Sequence, residues 1–100
     1  MPQERTATRE RKKTSKIDPP RYKVIMHNDD ETTMDFVVEV LMHIFFHNEA
    51  TANTLMLKIH NEGSAIVGVY DYDTALSKVF KVKMKADEQN FPLELTVEKE

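Results

Sequence analysis

Hydrophobic residues first gather at positions 21–27, RYKVIMH, a short run rich in Tyr, Val and Ile that predicts a β-strand. The run stops at Asn28-Asp29-Asp30, whose side chains bond their own nearby backbone and so predict a turn. The period then changes. Phe36, Val37, Val40, Leu41, Ile44 and Phe45 recur three and four apart, the apolar face of a helix reaching to about His47. Thr32 or Thr33 can cap it; with Thr32, Asp35 falls at the third helical position, a capping-box-like arrangement with Asp in place of Glu. Asn48 can cap a second helix, with Ala52, Leu55, Met56 and Ile59 as its stripe and Gly63 placed for a left-handed C-cap. Residues 65–70, AIVGVY, are apolar on both faces, which predicts a central strand. A third helix starts at Asp73 or Thr74 and turns Leu76, Val79, Phe80 and Met84 inward. Beyond Pro92, the residues Leu93, Leu95 and Val97 alternate with Glu94, Thr96 and Glu98 as a half-buried strand.

The order strand, helix, helix, strand, helix, strand predicts an α+β domain, a small three-stranded antiparallel sheet packed against three helices. With 100 residues, 40% of them apolar, the chain fits one domain with a small core. Residues 1–18 are polar and cannot offset their ordering entropy by burial, so they read as a disordered, flexible basic N-terminal extension. Pro19-Pro20 closes it with a stiff extended step, and the folded domain is expected over residues 19–100.

Charge sharpens that division. Residues 1–23 carry eight basic and three acidic side chains, whereas residues 24–100 carry six basic and fourteen acidic ones. An acidic body repels phosphate, and the arm has no aromatic residue before Tyr22 on which a base could stack, so nucleic acid is not expected as a partner. No apolar run approaches a membrane span, and the N-terminus lacks the apolar core of a secretory signal, so a cytoplasmic protein without membrane contact is expected.

The chemistry of an enzyme is missing from the pattern. There is no cysteine, which removes thiolate metal sites and cysteine nucleophiles. Gly63 and Gly68 are the only glycines, too few for a phosphate-binding loop. Ser15, Ser64 and Ser77 stand in no nucleophile-elbow context. Asn28-Asp29-Asp30 lacks the glycine and terminal glutamate of a calcium loop. His43 and His47 are four apart but have no third ligand, so they read as surface histidines. No metal and no cofactor is implied.

Several segments taken in order resemble the ClpS adaptor family. They are Tyr22-Lys23-Val24-Ile25, then Asn28-Asp29-Asp30, then Thr32, Met34, Phe36 and Val37. Leu55-Met56-Leu57, Ile59-His60, Gly63, Ala65-Ile66 and Gly68-Val69 follow, and Lys78-Val79 and Pro92-Leu93 complete the set, over about residues 20–99. The resemblance implies a monomeric, non-enzymatic adaptor that binds N-terminal bulky hydrophobic residues (N-degrons beginning Leu, Phe, Tyr or Trp). Such adaptors deliver these substrates to a Clp-type AAA+ unfoldase (the ClpA or ClpC N-domain) working with the ClpP protease. The rival expectation is a modulator that binds the unfoldase N-domain without reading N-degrons.

The resemblance also assigns residues. Asn28, Asp29, Asp30 and His60 would bind the peptide α-amine. That group is a cation near pH 7, with a usual pKa of about 7.7–8.0, and it carries up to three donor hydrogens. Acceptors converging on it make charge-assisted bonds that an internal peptide N–H cannot match. Thr32, Met34, Val37, Met56, Ile59 and Leu93 would line the pocket for the first side chain. Asp73 and Lys78 would face the unfoldase, and residues 1–18 would act in delivery. Glu31 and Thr33 stand where the family has an aromatic residue and a proline, Ile59 where it has valine, and Asp71-Tyr72 where it has small residues.

Overall fold

The computed structural model describes residues 18–100. The expected extension over residues 1–18 therefore lies outside the described residues except for Asp18, which is exposed. The elements are β1 (Tyr22–His27), α1 (Met34–His43), α2 (Glu49–Glu62), β2 (Ser64–Tyr70), α3 (Tyr72–Glu88) and β3 (Glu94–Lys99). This is the expected α+β order. The strands form one antiparallel sheet in the order β2-β1-β3.

The first strand, not the second, is therefore central. The two-faced apolar character of residues 65–70 predicts the central place for them, yet β2 is an edge strand and Ile66 is exposed. On β1, Val24 and Met26 are fully buried toward the helices while Ile25 and His27 face the other side. Ala65 and Val67 on β2 and Leu95 on β3 complete the inner face. The β1–β2 register slips between Val24 and Ile25, leaving one extra β2 residue at Val67. The carbonyl of Val67 is met by the His47 ring, whose Nε2–H donates to it over 2.6 Å. That bond satisfies an edge-strand acceptor that a bulge would otherwise leave open.

Each helix is capped by the chemistry its sequence offers. Thr33, rather than Thr32, caps α1 and accepts from Phe36 N–H at 3.1 Å. Asn48 caps α2 and Asp71 caps α3, each accepting from the N–H three residues on. So α3 begins at Tyr72, one residue before the expected Asp73 and two before Thr74. At its other end α1 stops at His43, earlier than the expected His47. Ile44 and Phe45 turn into the core, and Phe46 takes a left-handed φ of 60° that closes the turn and leaves its ring in solvent.

The buried face of α3 also departs from the expectation. Ala75, Val82 and Ala86 are buried and Val79 is partly buried, whereas Leu76, Phe80 and Met84 are exposed. Small residues let the helix lie close on the sheet, and the large apolar ones are turned outward. The core itself joins β1, the inner residues of α1, Ala52 and Ile59 of α2, and Leu93 with Leu95.

Candidate functional site

The turn after β1 is where the sequence first broke its apolar pattern. The Asn28 N–H donates to the carbonyl of Gly63 at 2.8 Å. Gly63 closes α2 with a left-handed φ of 94°, a conformation costly for residues with a Cβ, and its own N–H returns to Ile59 O at 2.9 Å. One backbone bond thus fixes the end of β1 against the last turn of α2, which carries His60.

Asp29 shapes the rest of the loop. Its Oδ1 accepts from the N–H of Glu31 at 2.8 Å and of Thr32 at 2.7 Å, and its Oδ2 accepts from the Thr32 hydroxyl at 2.7 Å. Burial pushes this carboxyl up, but the bonds from Thr32 and Glu31 outweigh it and hold it below its usual 3.8. A carboxylate offers about four lone-pair directions, so three are used and one remains. Asp30 and Asn28 are exposed beside it.

These groups form the mouth of a cleft of about 270 Å³ lined by Asn28, Asp29, Asp30, Thr32, Met34, Val37, Met56, Ile59 and His60. The inner wall is Val37 and Ile59, both buried, with Met56 half-buried and Met34 at the exposed rim. A cavity of about 150 Å³ holds benzene, so this cleft has room for one large apolar side chain and little more. Its mouth lies at the C-terminal end of α2, where free carbonyls and the helix dipole favour a cation. The arrangement can hold an ammonium group and, directly below it, an apolar side chain.

Leu93 is not part of that wall. It is 2% exposed within the core. Leu93 and Leu95 alternate onto the inner face of the sheet, so the same pattern that marks them as apolar aims both into the core. The bond from Asn28 to Gly63 has almost no signature in the sequence; its only sign is the position of Gly63, three residues beyond His60.

Asp73 and Lys78 sit apart from the cleft, on α3. Asp73 is exposed in its first turn. The Lys78 ammonium donates to Ile44 O at 2.7 Å and lies 4.6 Å from the Phe46 ring centroid, with Tyr70 and Phe45 at 5.2 and 5.9 Å. Burial, with repulsion from Lys81, draws its pKa down. Five residues separate Asp73 from Lys78, about 140° around a helix of 3.6 residues per turn, so the two point to different sides. His43 ends α1 exposed and His47 is tied to Val67, so they share no helix face. Among the described residues no group of three His, Asp or Glu side chains could hold a metal ion, and no helix is long and apolar enough to cross a membrane.

The sequence matches the family model for ATP-dependent Clp protease adaptor protein ClpS over residues 17–96. It is 56% identical over 81 residues to the ATP-dependent Clp protease adapter protein ClpS of Wolinella succinogenes, covering 81% of this chain and 79% of that protein. It is 51% identical over 96 residues to the adapter protein of the same name from Campylobacter jejuni, covering 96% and 98%. The fold superposes on Agrobacterium tumefaciens ClpS2 bound to L-phenylalaninamide with a TM-score of 0.79 and 38% identity, covering 83% of this chain and all of that one.

Proposed function

The chain belongs to the ClpS family of ATP-dependent Clp protease adaptor proteins, and from that premise we propose that it reads the first residue of substrate proteins and delivers them to a Clp unfoldase. The observation that carries this reading is one cleft with a polar, anionic mouth and an apolar wall. L-Phenylalaninamide, the molecule bound by Agrobacterium ClpS2, has the complementary parts: a free α-amine, an apolar side chain and a neutral amide in place of onward chain.

The α-ammonium is held by Asn28 Oδ1, His60, and the carboxylates of Asp29 and Asp30. Asp29 also fixes the loop from which Thr32 and Met34 project. The first side chain enters between Val37, Met56 and Ile59, and the flexible thioethers of Met34 and Met56 adjust to Leu, Phe, Tyr or Trp. An internal residue is rejected because its amide lacks the charge and the extra donors, leaving the acceptors at the mouth unmatched.

The protein is an adaptor without catalysis of its own. It acts in the cytoplasm as a monomer and engages a ClpA- or ClpC-type N-domain through the side of α3 that bears Asp73. Lys78 contributes by pinning the α1–α2 turn, and residues 1–18 serve delivery rather than peptide binding.

Fluorescence anisotropy tests the reading with short peptides differing only at residue one (Leu, Phe, Tyr, Trp and Val) and with acetylated Phe. Free Leu and Phe peptides should bind and acetylation should abolish it. Asn28→Ala and His60→Ala should each lose binding with an unchanged circular dichroism spectrum. Equal affinity for the acetylated peptide would overturn the reading.

A further inference from the structure

All the sulfur in this chain is thioether: six methionines and no cysteine. The described methionines sit in unlike places. Met26 is fully buried in the core and Met42 packs against it. Met84 is 51% exposed on α3. Met34 and Met56 both line the cleft, Met34 44% exposed at its rim and Met56 half-buried in its wall. Met34 is the first residue of α1, and Met56 stands one helical turn before Ile59 and His60 on α2. A thioether that solvent can reach is therefore part of the surface that must stay apolar.

We infer that Met56 is an oxidation site through which peroxide switches peptide binding off, an inference that rests on the proposed use of the cleft. The step is a two-electron oxygen transfer. The thioether lone pair attacks one peroxide oxygen, an S–O bond forms as the O–O bond breaks, and the departing hydroxide takes up the proton and leaves as water. Sulfur is oxidised and peroxide reduced. The product, methionine sulfoxide, is polar and chiral, and reductases return it to the thioether while oxidising a pair of thiols to a disulfide.

Place in the cleft decides the consequence. In the empty cleft, water solvates the sulfoxide oxygen. A bound side chain displaces that water and leaves the oxygen against Val37 and Ile59, whose side chains have no donor to offer. An unsatisfied acceptor of this kind weakens binding about tenfold to 100-fold. Met34 differs, because at the rim its flexible side chain can turn a sulfoxide out to solvent. Met34 therefore oxidises first and matters less; Met56 oxidises later and decides. Neither is among the fully buried residues, so the fold survives. Occupancy works in the other direction. A bound first residue covers Met56, so an adaptor carrying substrate is shielded while an empty one is silenced.

Titrating the full chain with hydrogen peroxide tests this, with sulfoxide at each methionine read by peptide mass spectrometry and affinity for a Phe-initiated peptide read by anisotropy. The untreated parent is measured first; failure to bind there overturns the reading of the cleft and this inference with it. In a parent that binds, affinity should hold while Met34 and Met84 oxidise, then fall about tenfold to 100-fold in step with Met56, with an unchanged circular dichroism spectrum. Methionine sulfoxide reductases with dithiothreitol should restore it. Phe-initiated peptide at about ten times its Kd should slow oxidation of Met56 about tenfold, in proportion to the empty fraction, and leave Met84 unaffected. Met56→Leu keeps a similar volume without the sulfur; whatever its own affinity, that affinity should be the same before and after treatment. Met34→Leu and Met84→Leu should lose the same factor as the parent. A parent whose affinity survives full oxidation of Met56, a Met56→Leu variant that weakens on treatment as the parent does, or oxidation of Met56 at one rate with and without bound peptide would each overturn the inference.

Discussion

Replacing Asp29 by asparagine separates two things this carboxylate does, and Asp30→Asn provides the comparison. The asparagine would keep an Oδ1 acceptor for the Glu31 and Thr32 N–H groups, reverse the bond to the Thr32 hydroxyl, and remove the charge. Hydrogen bonds to a charged group contribute about 1 kcal/mol more than neutral ones. With three such bonds and a half-exposed site, the ordered loop should lose about 1–2 kcal/mol. Losing a carboxylate near the bound ammonium removes about 1 kcal/mol more at the water-like dielectric of this exposed mouth. Together these weaken a Phe-initiated peptide by about thirtyfold to 150-fold. Asp30 makes none of the bonds that hold the loop, so Asp30→Asn should lose only the Coulomb part, about fivefold. Anisotropy titrations of both variants, with thermal melts to confirm folding, decide the matter. If Asp29→Asn binds within about threefold of the parent while Asp30→Asn loses more than about tenfold, the loop-ordering argument fails. The pH dependence has a fixed sign. Because the folded-state value lies below 3.8, the contribution of Asp29 is complete above that pH and is lost only as pH falls through the lower value. Between pH 7 and about 5, therefore, protonation of Asp29 should cost the peptide no affinity.

Gly63→Ala should lower stability by about 1 kcal/mol, about 4–8 °C in Tm: its Cβ would meet nothing within 4 Å, so the cost is the left-handed backbone less the entropy removed from the unfolded chain. Differential scanning calorimetry checks it. Ile59→Val removes one methylene from the cleft wall and should raise affinity for Trp- and Tyr-initiated peptides relative to Leu by up to about tenfold in competition anisotropy. Deleting residues 1–18 should leave peptide affinity unchanged and slow degradation of an N-degron substrate by the reconstituted unfoldase and peptidase.

Local chemistry was the legible part of the sequence. Caps such as Asn48, the C-terminal Gly63 and the alternation in residues 93–97 are set by side chains acting on nearby backbone, and these stand in the structure. The polar turn at 28–30 and the residues Met56, Ile59 and His60 do meet at one cleft. The errors came where packing between distant elements decides. Large apolar residues on α3 suggested its inner face, but the sheet takes Ala75 and Ala86, and alanine carries too weak a hydrophobic signal to compete in a periodicity reading. Two-faced apolar character placed β2 in the centre, whereas pairing gave that position to β1, which carries Lys23 and His27 on its open face. Leu93 shows the same limit: apolar spacing marks it as inward without saying whether inward means core or cleft.

The hydrogen bond from Asn28 to Gly63 joins the two segments of the cleft mouth through main chain rather than through side chains. Peptide groups do not change when a codon does. On the function proposed above, evolution can therefore vary Val37, Met56 or Ile59, altering which residue is preferred, without moving the supports of Asn28 and His60. The decision that a chain has a beginning and the decision about what that beginning is are made by separately inheritable parts, so selectivity can diverge between related adaptors while recognition of a terminus persists.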